Sequence, residues 1–267
     1  NIATKEDVVA TITYDENVVS LTAGLICTDN ICIKTYNDNT AETITVSDNA
    51  GNQTSSSIFI NWIDKTSATI NINYSVTTLT NRNVIATITA DEDITINEPG
   101  WTCISNVCAK VYTTNVSETV NVLDLVGNIT PATITISNID KTPPVLVSLT
   151  YSPEISTKNT TTATVVFNKD ARTTISGWTC TGNICAKEYN DNTTETLRVT
   201  DSAGNYLNVN VEITNIDKVA PTIESVVKNP NTLTKNDVLV TVNANEFITI
   251  SGFTCNASTC TKIYSAN

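Results

Sequence analysis

The strongest constraint on this chain is a repeat of about 76 residues. Pairs of cysteines separated by four residues recur along it, and their first members lie 76, 77 and 75 residues apart. The tripeptide Ile-Asp-Lys begins at residues 63, 139 and 216, and an Asp-x-x-Gly-Asn motif begins at residues 48, 124 and 201. Three markers that share one period indicate a tandem array of similar structural units.

If Ile-Asp-Lys marks each junction, the array has two whole units between two partial ones. The four predicted domains are residues 1–63, 64–139, 140–216 and 217–267. By comparison with the whole units, the first lacks an opening strand and the last lacks the strands that follow its cysteine pair. We therefore expect that the native chain continues in both directions, or that neighbouring molecules complete these ends.

Within a unit, apolar residues alternate with polar ones over short runs. Val84, Ala86 and Ile88 have this spacing. The same spacing recurs at Val120 with Val122, Ile134 with Ile136, and Leu197 with Val199. Period two in runs rich in Thr, Val and Ile is typical of half-buried strands, because successive side chains of a strand point to opposite faces. Each unit is therefore predicted to be all-β, with about seven short strands forming a small two-sheet sandwich.

The glycines support this prediction, because most of them occupy two recurring positions. One position precedes the cysteine pair and the other lies in the Asp-x-x-Gly-Asn motif. They hold Gly24, Gly100, Gly177 and Gly252, and Gly51, Gly127 and Gly204, respectively. We expect positive φ at both positions, with the aspartate of the motif accepting a backbone N–H, as in a hairpin turn.

Composition excludes several classes of function. The chain has 27 acidic and 15 basic residues, a net charge of −12, which repels nucleic acid and anionic membrane surfaces. It contains no histidine, the commonest general base. No apolar run is long enough to span a membrane as a helix. We predict neither an enzyme nor a cofactor, and no nucleic-acid partner or membrane insertion.

The cysteine pairs are interpreted as disulfides that close hairpins. The predicted bonds join Cys27 with Cys32, Cys103 with Cys108, Cys180 with Cys185, and Cys255 with Cys260. A four-residue loop places the flanking cysteines opposite one another, and closing it stabilises the fold by about 2 kcal/mol in the chain-entropy model. Two alternatives stay open: a zinc site that borrows ligands from a neighbouring unit, and a redox centre. Disulfides would place the chain outside the cell.

Aromatic residues recur two positions before the first cysteine, at Trp101, Trp178 and Phe253. They could pack in the core beside the disulfide, or form an exposed platform for a sugar ring. The first unit has Leu25 at this position, which can fill a core but cannot stack on a sugar.

A second recurring pattern follows each second cysteine, with a lysine two positions later and a tyrosine four positions later. The residues are Lys34 and Tyr36, Lys110 and Tyr112, Lys187 and Tyr189, and Lys262 and Tyr264. We expect the lysines to pair across strands with Glu42, Glu118 and Glu195. A lysine–asparagine isopeptide crosslink is the alternative interpretation.

Acidic residues cluster as Asp15-Glu16 and as Asp91-Glu92-Asp93, and each junction carries a further aspartate at Asp64, Asp140 or Asp217. Calcium at the junctions is one interpretation. The corresponding loop of the third unit reads Asn168-Lys169-Asp170, so we assign no metal site. Seven Asn-x-Ser/Thr sequons, among them Asn73, Asn115, Asn192 and Asn256, would permit glycosylation.

The succession TNRNVIATITADEDITI, GWTC, SETVNVLDLVGN and NIDKTPP resembles the tandem bacterial immunoglobulin-like repeats of large surface proteins and adhesins. The resemblance covers essentially the whole chain. It implies an immunoglobulin-like (Ig-like) sandwich and an extracellular role as a stalk, in display or in adhesion. The antibody-type disulfide joins two sheets across many residues, so the local Cys-x4-Cys pairing is not part of what the resemblance implies.

Two hypotheses about function follow. The first is a structural one, in which the units form a stalk or fibre of a prokaryotic surface protein. In one form of it, a neighbouring copy supplies the strand that the first unit lacks, which would build a filament. The second is a binding module that recognises a glycan or a host-cell protein through the recurring aromatic residues.

Overall fold

The computed structural model describes residues 2–265. Strands account for 54% of the residues, and the described part of the chain contains no helix. The chain divides into two compact units, one made of residues 1–142 with 202–205 and the other of residues 143–201 with 206–267. The all-β prediction is therefore confirmed.

The first unit begins with strands that belong to the first sequence repeat. They are β1 (Val8–Thr13), β2 (Val19–Ser20), β3 (Ile26–Thr28), β4 (Ile31–Tyr36), β5 (Thr40–Ser47) and β6 (Gln53–Ile60). They form two antiparallel sheets with the orders β1-β4-β3 and β2-β5-β6. Two small sheets are consistent with a β-sandwich.

The second repeat completes this unit. Its strands are β7 (Ile70–Tyr74), β8 (Val84–Ala90), β9 (Ile94–Ile96), β10 (Thr102–Ile104), β11 (Val107–Tyr112), β12 (Val116–Asp124) and β13 (Ile129–Ile136). One sheet has the order β7-β8-β11-β10, and the other has the order β9-β12-β13. The first repeat has no counterpart of β7 among its described residues, so its first sheet has three strands rather than four.

The core of the second repeat is built from the side chains that alternation places on one face of each strand. Strand β8 has every second residue fully buried, at Val84, Ala86 and Ile88, and β12 buries Val120 and Val122 in the same way. The two sheets bury these residues in one cluster. Burial of this kind is the main source of stability for so small a structure.

The second compact unit repeats the pattern. Its strands are β14 (Leu146–Ser152), β15 (Thr161–Phe167), β16 (Thr179–Thr181), β17 (Ile184–Tyr189), β18 (Thr193–Thr200), β19 (Tyr206–Ile213), β20 (Ile223–Asn229), β21 (Val238–Ala244), β22 (Thr254–Asn256) and β23 (Thr259–Tyr264). They form sheets with the orders β14-β15-β17-β16, β18-β19 and β20-β21-β23-β22.

The last of these sheets shows what a facing sheet contributes to burial. Tyr189, which β18 and β19 help to cover, is 5% exposed, whereas the equivalent Tyr264 is 47% exposed. Within the described residues, the sheet β20-β21-β23-β22 has no second sheet of its own repeat across it. The tyrosine is therefore a core residue that depends on the second sheet.

Candidate functional site

A cluster of lysine, tyrosine and glutamate connects the two sheets of each of the first three repeats. In the second repeat, Lys110 and Tyr112 lie on β11 of one sheet and Glu118 lies on β12 of the other. The ammonium of Lys110 is 2.8 Å from Glu118 Oε1, and the Tyr112 hydroxyl donates to the same oxygen. The other Lys-Tyr-Glu clusters are Lys34, Tyr36 and Glu42, and Lys187, Tyr189 and Glu195. The predicted lysine–glutamate pairs are thus present.

The electrostatics of this Lys-Tyr-Glu cluster keep the glutamate ionised and the tyrosine neutral. Hydrogen bonds from Lys110 and then Tyr112 hold the pKa of Glu118 below its usual range. Burial, followed by the bond to Glu42, raises the pKa of Tyr36 to about 12. Two donors on one carboxylate satisfy a half-buried charge. The arrangement suits a structural contact between sheets.

The recurring aromatic residues face the core. Trp178 is 8% exposed and packs edge-on against Tyr189, with ring centroids 6.4 Å apart. Its indole Nε1–H donates to Glu195 Oε1 at 2.6 Å, which joins it to the Lys-Tyr-Glu cluster of the third repeat. Trp101 also packs against its core, but its buried Nε1 has no hydrogen-bond partner. Trp178 is therefore too buried to offer a face to a sugar ring, whereas Trp101 is partly exposed.

The four cysteine pairs are joined as disulfides, and no described cysteine is free. Cys103 on β10 lies directly opposite Cys108 on β11, as the four-residue loop predicts. The second cysteine of each pair is fully buried, so the bridge faces the core. Because bridged sulfurs have no thiolate to offer, these residues cannot form the zinc site.

The Asp-x-x-Gly-Asn motif forms a turn that holds the preceding junction. Asp124 Oδ1 accepts the backbone N–H groups of Val126, Gly127 and Asn128, and Gly127 has a φ of 90°. The sequence predicted both features. Asn128 Nδ2 then donates to the carbonyl oxygens of residues 64 and 66, and Lys5 donates to the Gly127 carbonyl at 2.9 Å. The turn therefore fixes the segment by which the chain enters the second repeat.

Three carboxylates meet at this junction. Asp64, Glu92 and Asp124 each place an oxygen within 4.8 Å of the others, and within residues 2–265 this is the one such group found that could hold a metal ion. Hard oxygen ligands of this kind suit calcium. In the third repeat Lys169 takes the position of Glu92 and lies 3.2 Å from Asp201. The carboxylate group is thus not a feature of every repeat.

The charges at this junction shift the pKa values of Glu92 and Asp124 in opposite directions. Burial, and then repulsion by Asp124, Asp64 and Asp91, raises the pKa of Glu92. Burial also acts to raise the pKa of Asp124, but hydrogen bonds from Asn128 and the turn backbone outweigh it and lower the pKa. Folding therefore disfavours the ionised form of Glu92.

Sequence reasoning missed one contact that recurs three times. Asn115 Oδ1 accepts the backbone N–H of Ile139 at 2.8 Å, and Asn115 Nδ2 donates to the Ile139 carbonyl at 3.0 Å. Asn39 makes the same two bonds to Ile63, and Asn192 makes them to Ile216. The available signal was a constant separation of 24 residues between each asparagine and the isoleucine of Ile-Asp-Lys.

Two sequons therefore have structural roles. Asn115 and Asn192 lie in sequons that would permit glycosylation, yet the amide nitrogen of each donates a hydrogen bond to a backbone carbonyl. Asn39 makes the same contact without a sequon, since it is followed by Thr-Ala. The pair of hydrogen bonds to an isoleucine, rather than the sequon, is the feature that the three asparagines share.

No helix of the described chain has the length and apolar character needed to cross a bilayer. No protein-family model matches the sequence, and a search of curated proteins found no similar chain.

Proposed function

We propose that this chain is a non-enzymatic structural segment of a prokaryotic cell-surface protein, in which tandem Ig-like sandwiches form a stalk or fibre outside the cell. The main support is that the same polar contacts recur at equivalent positions of successive repeats. The Lys-Tyr-Glu cluster, the disulfide, the asparagine–isoleucine contact and the aspartate turn all connect parts of the fold to one another. Groups that serve structure are expected in every repeat.

The disulfides support an extracellular location. A bond in each repeat requires a non-reducing environment, which cytosol does not provide. Each sandwich is also small, so a crosslink adds stability that a limited core cannot supply.

The proposal is tested by changing the number of repeats. We would insert a second copy of residues 64–139 after residue 139 and compare the maximum dimension of the two proteins by small-angle X-ray scattering. A stalk should lengthen by about 30 Å, the span of a nine-residue strand, for each added repeat. A particle whose maximum dimension stays constant would reject the stalk.

A filament form of this proposal rests on the edge of β1 that no described strand covers. Strands β8, β15 and β21 each pair on this edge with β7, β14 and β20, whereas β1 has no such partner among the described residues. The positions of Thr135 and Asn138 in the second repeat are taken in the first by Phe59, which is 68% exposed, and by Trp62. An added strand would cover these aromatic residues.

Sedimentation velocity over a range of concentrations tests the filament form. Strand exchange predicts polymers that survive dilution and that the double variant Phe59→Thr/Trp62→Asn weakens. A monomer at every concentration would leave the stalk standing and remove the filament.

A further inference from the structure

The segment that leaves each complete repeat is held by four hydrogen bonds. In the second repeat, the backbone N–H of Thr80 donates to the Asn138 carbonyl, and the N–H of Asp140 donates to the Thr80 carbonyl, both at 2.9 Å. Asn115 adds its two bonds to Ile139 on the other side. We call this group, Thr80, Asn115 and residues 138–140, the Ile139 clamp.

The chain enters and leaves the second repeat at opposite ends of strand β12. The incoming segment is fixed to the turn that follows Asp124, the last residue of β12. The outgoing segment is fixed to Asn115, which immediately precedes Val116, the first residue of β12. A pull on the two chain ends therefore acts along the strand direction.

This geometry loads the Ile139 clamp in shear. Ile139 and Thr80 form a parallel bridge, and the outgoing chain is the direct continuation of residues 138–140. Tension draws residues 138–140 along their own axis, so all four bonds must break together instead of one after another. Both Thr80 and Ile139 are buried, which keeps water from replacing the bonds one at a time.

The second asparagine of the clamp, Asn138, adds further attachment. Its Nδ2 donates to the carbonyls of Val76 and Thr78, which ties the outgoing chain to the loop between β7 and β8. Asn215 makes the corresponding bonds to the carbonyls of residues 153 and 155 in the third repeat. The first repeat has Trp62 at this position and keeps only the asparagine and threonine parts of the clamp.

We infer that the Ile139 clamp and its equivalents at Ile63 and Ile216 are mechanical clamps, in which the side chains of Asn115, Asn39 and Asn192 set the force at which a repeat opens. The inference rests on the proposed stalk, which is what would place the chain under tension. The function assigned to the asparagines is resistance to force in one direction, beyond their share of equilibrium stability.

Single-molecule force spectroscopy on the full chain, held through its two ends, tests this inference. Forced unfolding is governed by the unfolding rate, so the readout is the lifetime of each repeat at a fixed force. Asn115→Ala removes two of four bonds and should make the second repeat open roughly tenfold faster. The matched control is Val120→Ala, a core change on β12 of the same repeat whose side chain makes none of the hydrogen bonds of the clamp.

The two variants are compared with their unfolding midpoints in urea. For each variant, the shortening of the lifetime under force is divided by the loss of stability in urea. A clamp requires that this ratio be larger for Asn115→Ala than for Val120→Ala. Equal shortening for equal loss would overturn the inference, because the asparagine would then act only through overall stability.

A second variant covers the case in which the alanine variant leaves the repeat unfolded. Asn115→Asp keeps the acceptor for the Ile139 N–H and removes the donor to the Ile139 carbonyl. Its lifetime under force is compared with that of Val120→Ala, after both are corrected for their loss of urea stability. A lifetime no shorter than that of the control would again count against the clamp. A lifetime shorter than that of the control supports it. These measurements use the isolated chain, so a failed clamp leaves the scattering test of the stalk unaffected.

Discussion

The ammonium of Lys169 lies 3.2 Å from Oδ2 of Asp201, a buried carboxylate that begins the third Asp-x-x-Gly-Asn turn. The equivalent aspartate of the second repeat, Asp124, has Glu92 beside it instead. Two repeats therefore place opposite charges next to the same buried residue. The lysine neutralises its aspartate, whereas the glutamate adds to the negative charge.

Replacing Glu92 by lysine should stabilise the second repeat. The new ammonium would lie beside Asp124 and Asp64 and replace a repulsion by an ion pair, so we expect the free energy of unfolding to rise by about 1 kcal/mol. Urea unfolding followed by tryptophan fluorescence measures it. Asp93→Lys, an exposed neighbour with the same change in charge, is the control. If both variants gain the same stability, the cause is the smaller net negative charge of the chain and not the local contact at this junction.

The same residue should make stability depend on pH. Burial and the neighbouring carboxylates raise the pKa of Glu92 in the folded chain above its unfolded value. The contribution of such a group is fully present below the unfolded pKa and is lost as the pH rises through the folded pKa. The free energy of unfolding of Glu92→Gln should therefore increase relative to that of the wild type as the pH rises from about 4 to 7. A difference between the two proteins that stays constant over this range would contradict the assignment.

Local sequence patterns predicted the parts of this fold that depend on neighbouring residues. Alternation placed Val84 in the core, and a four-residue spacer fixed Cys103 opposite Cys108, because both follow from strand geometry alone. The pairing of Asn115 with Ile139 was not read in this way, because it depends on the register of the hairpin β12–β13. That register pairs Val116 with Ile136 and so brings together residues 24 positions apart. A sequon at Asn115 also offered a more familiar explanation for the residue.

Removing one disulfide should weaken its repeat without changing the fold. The double variant Cys103→Ala/Cys108→Ala loses a loop constraint worth about 2 kcal/mol in the chain-entropy model. It also loses packing at the fully buried Cys108. We expect an earlier urea transition for the second repeat and an unchanged β signature in circular dichroism. Intact mass without reductant gives the independent check, since each bridge lowers the mass by two hydrogens. Eight free thiols in protein from an oxidising compartment would contradict the structure.

Trp101 and Trp178 should respond differently to the same substitution. Trp178→Phe removes an N–H that donates to Glu195, so we expect a loss of about 1 kcal/mol. Trp101→Phe removes a buried N–H that has no partner, which relieves a desolvation cost and offsets the smaller ring. Both variants change the side-chain volume by the same amount. The difference between their urea midpoints therefore reports the effect of the hydrogen bond separately from that of packing. Equal losses at both positions would mean that ring size alone decides the outcome and that the bond to Glu195 contributes nothing.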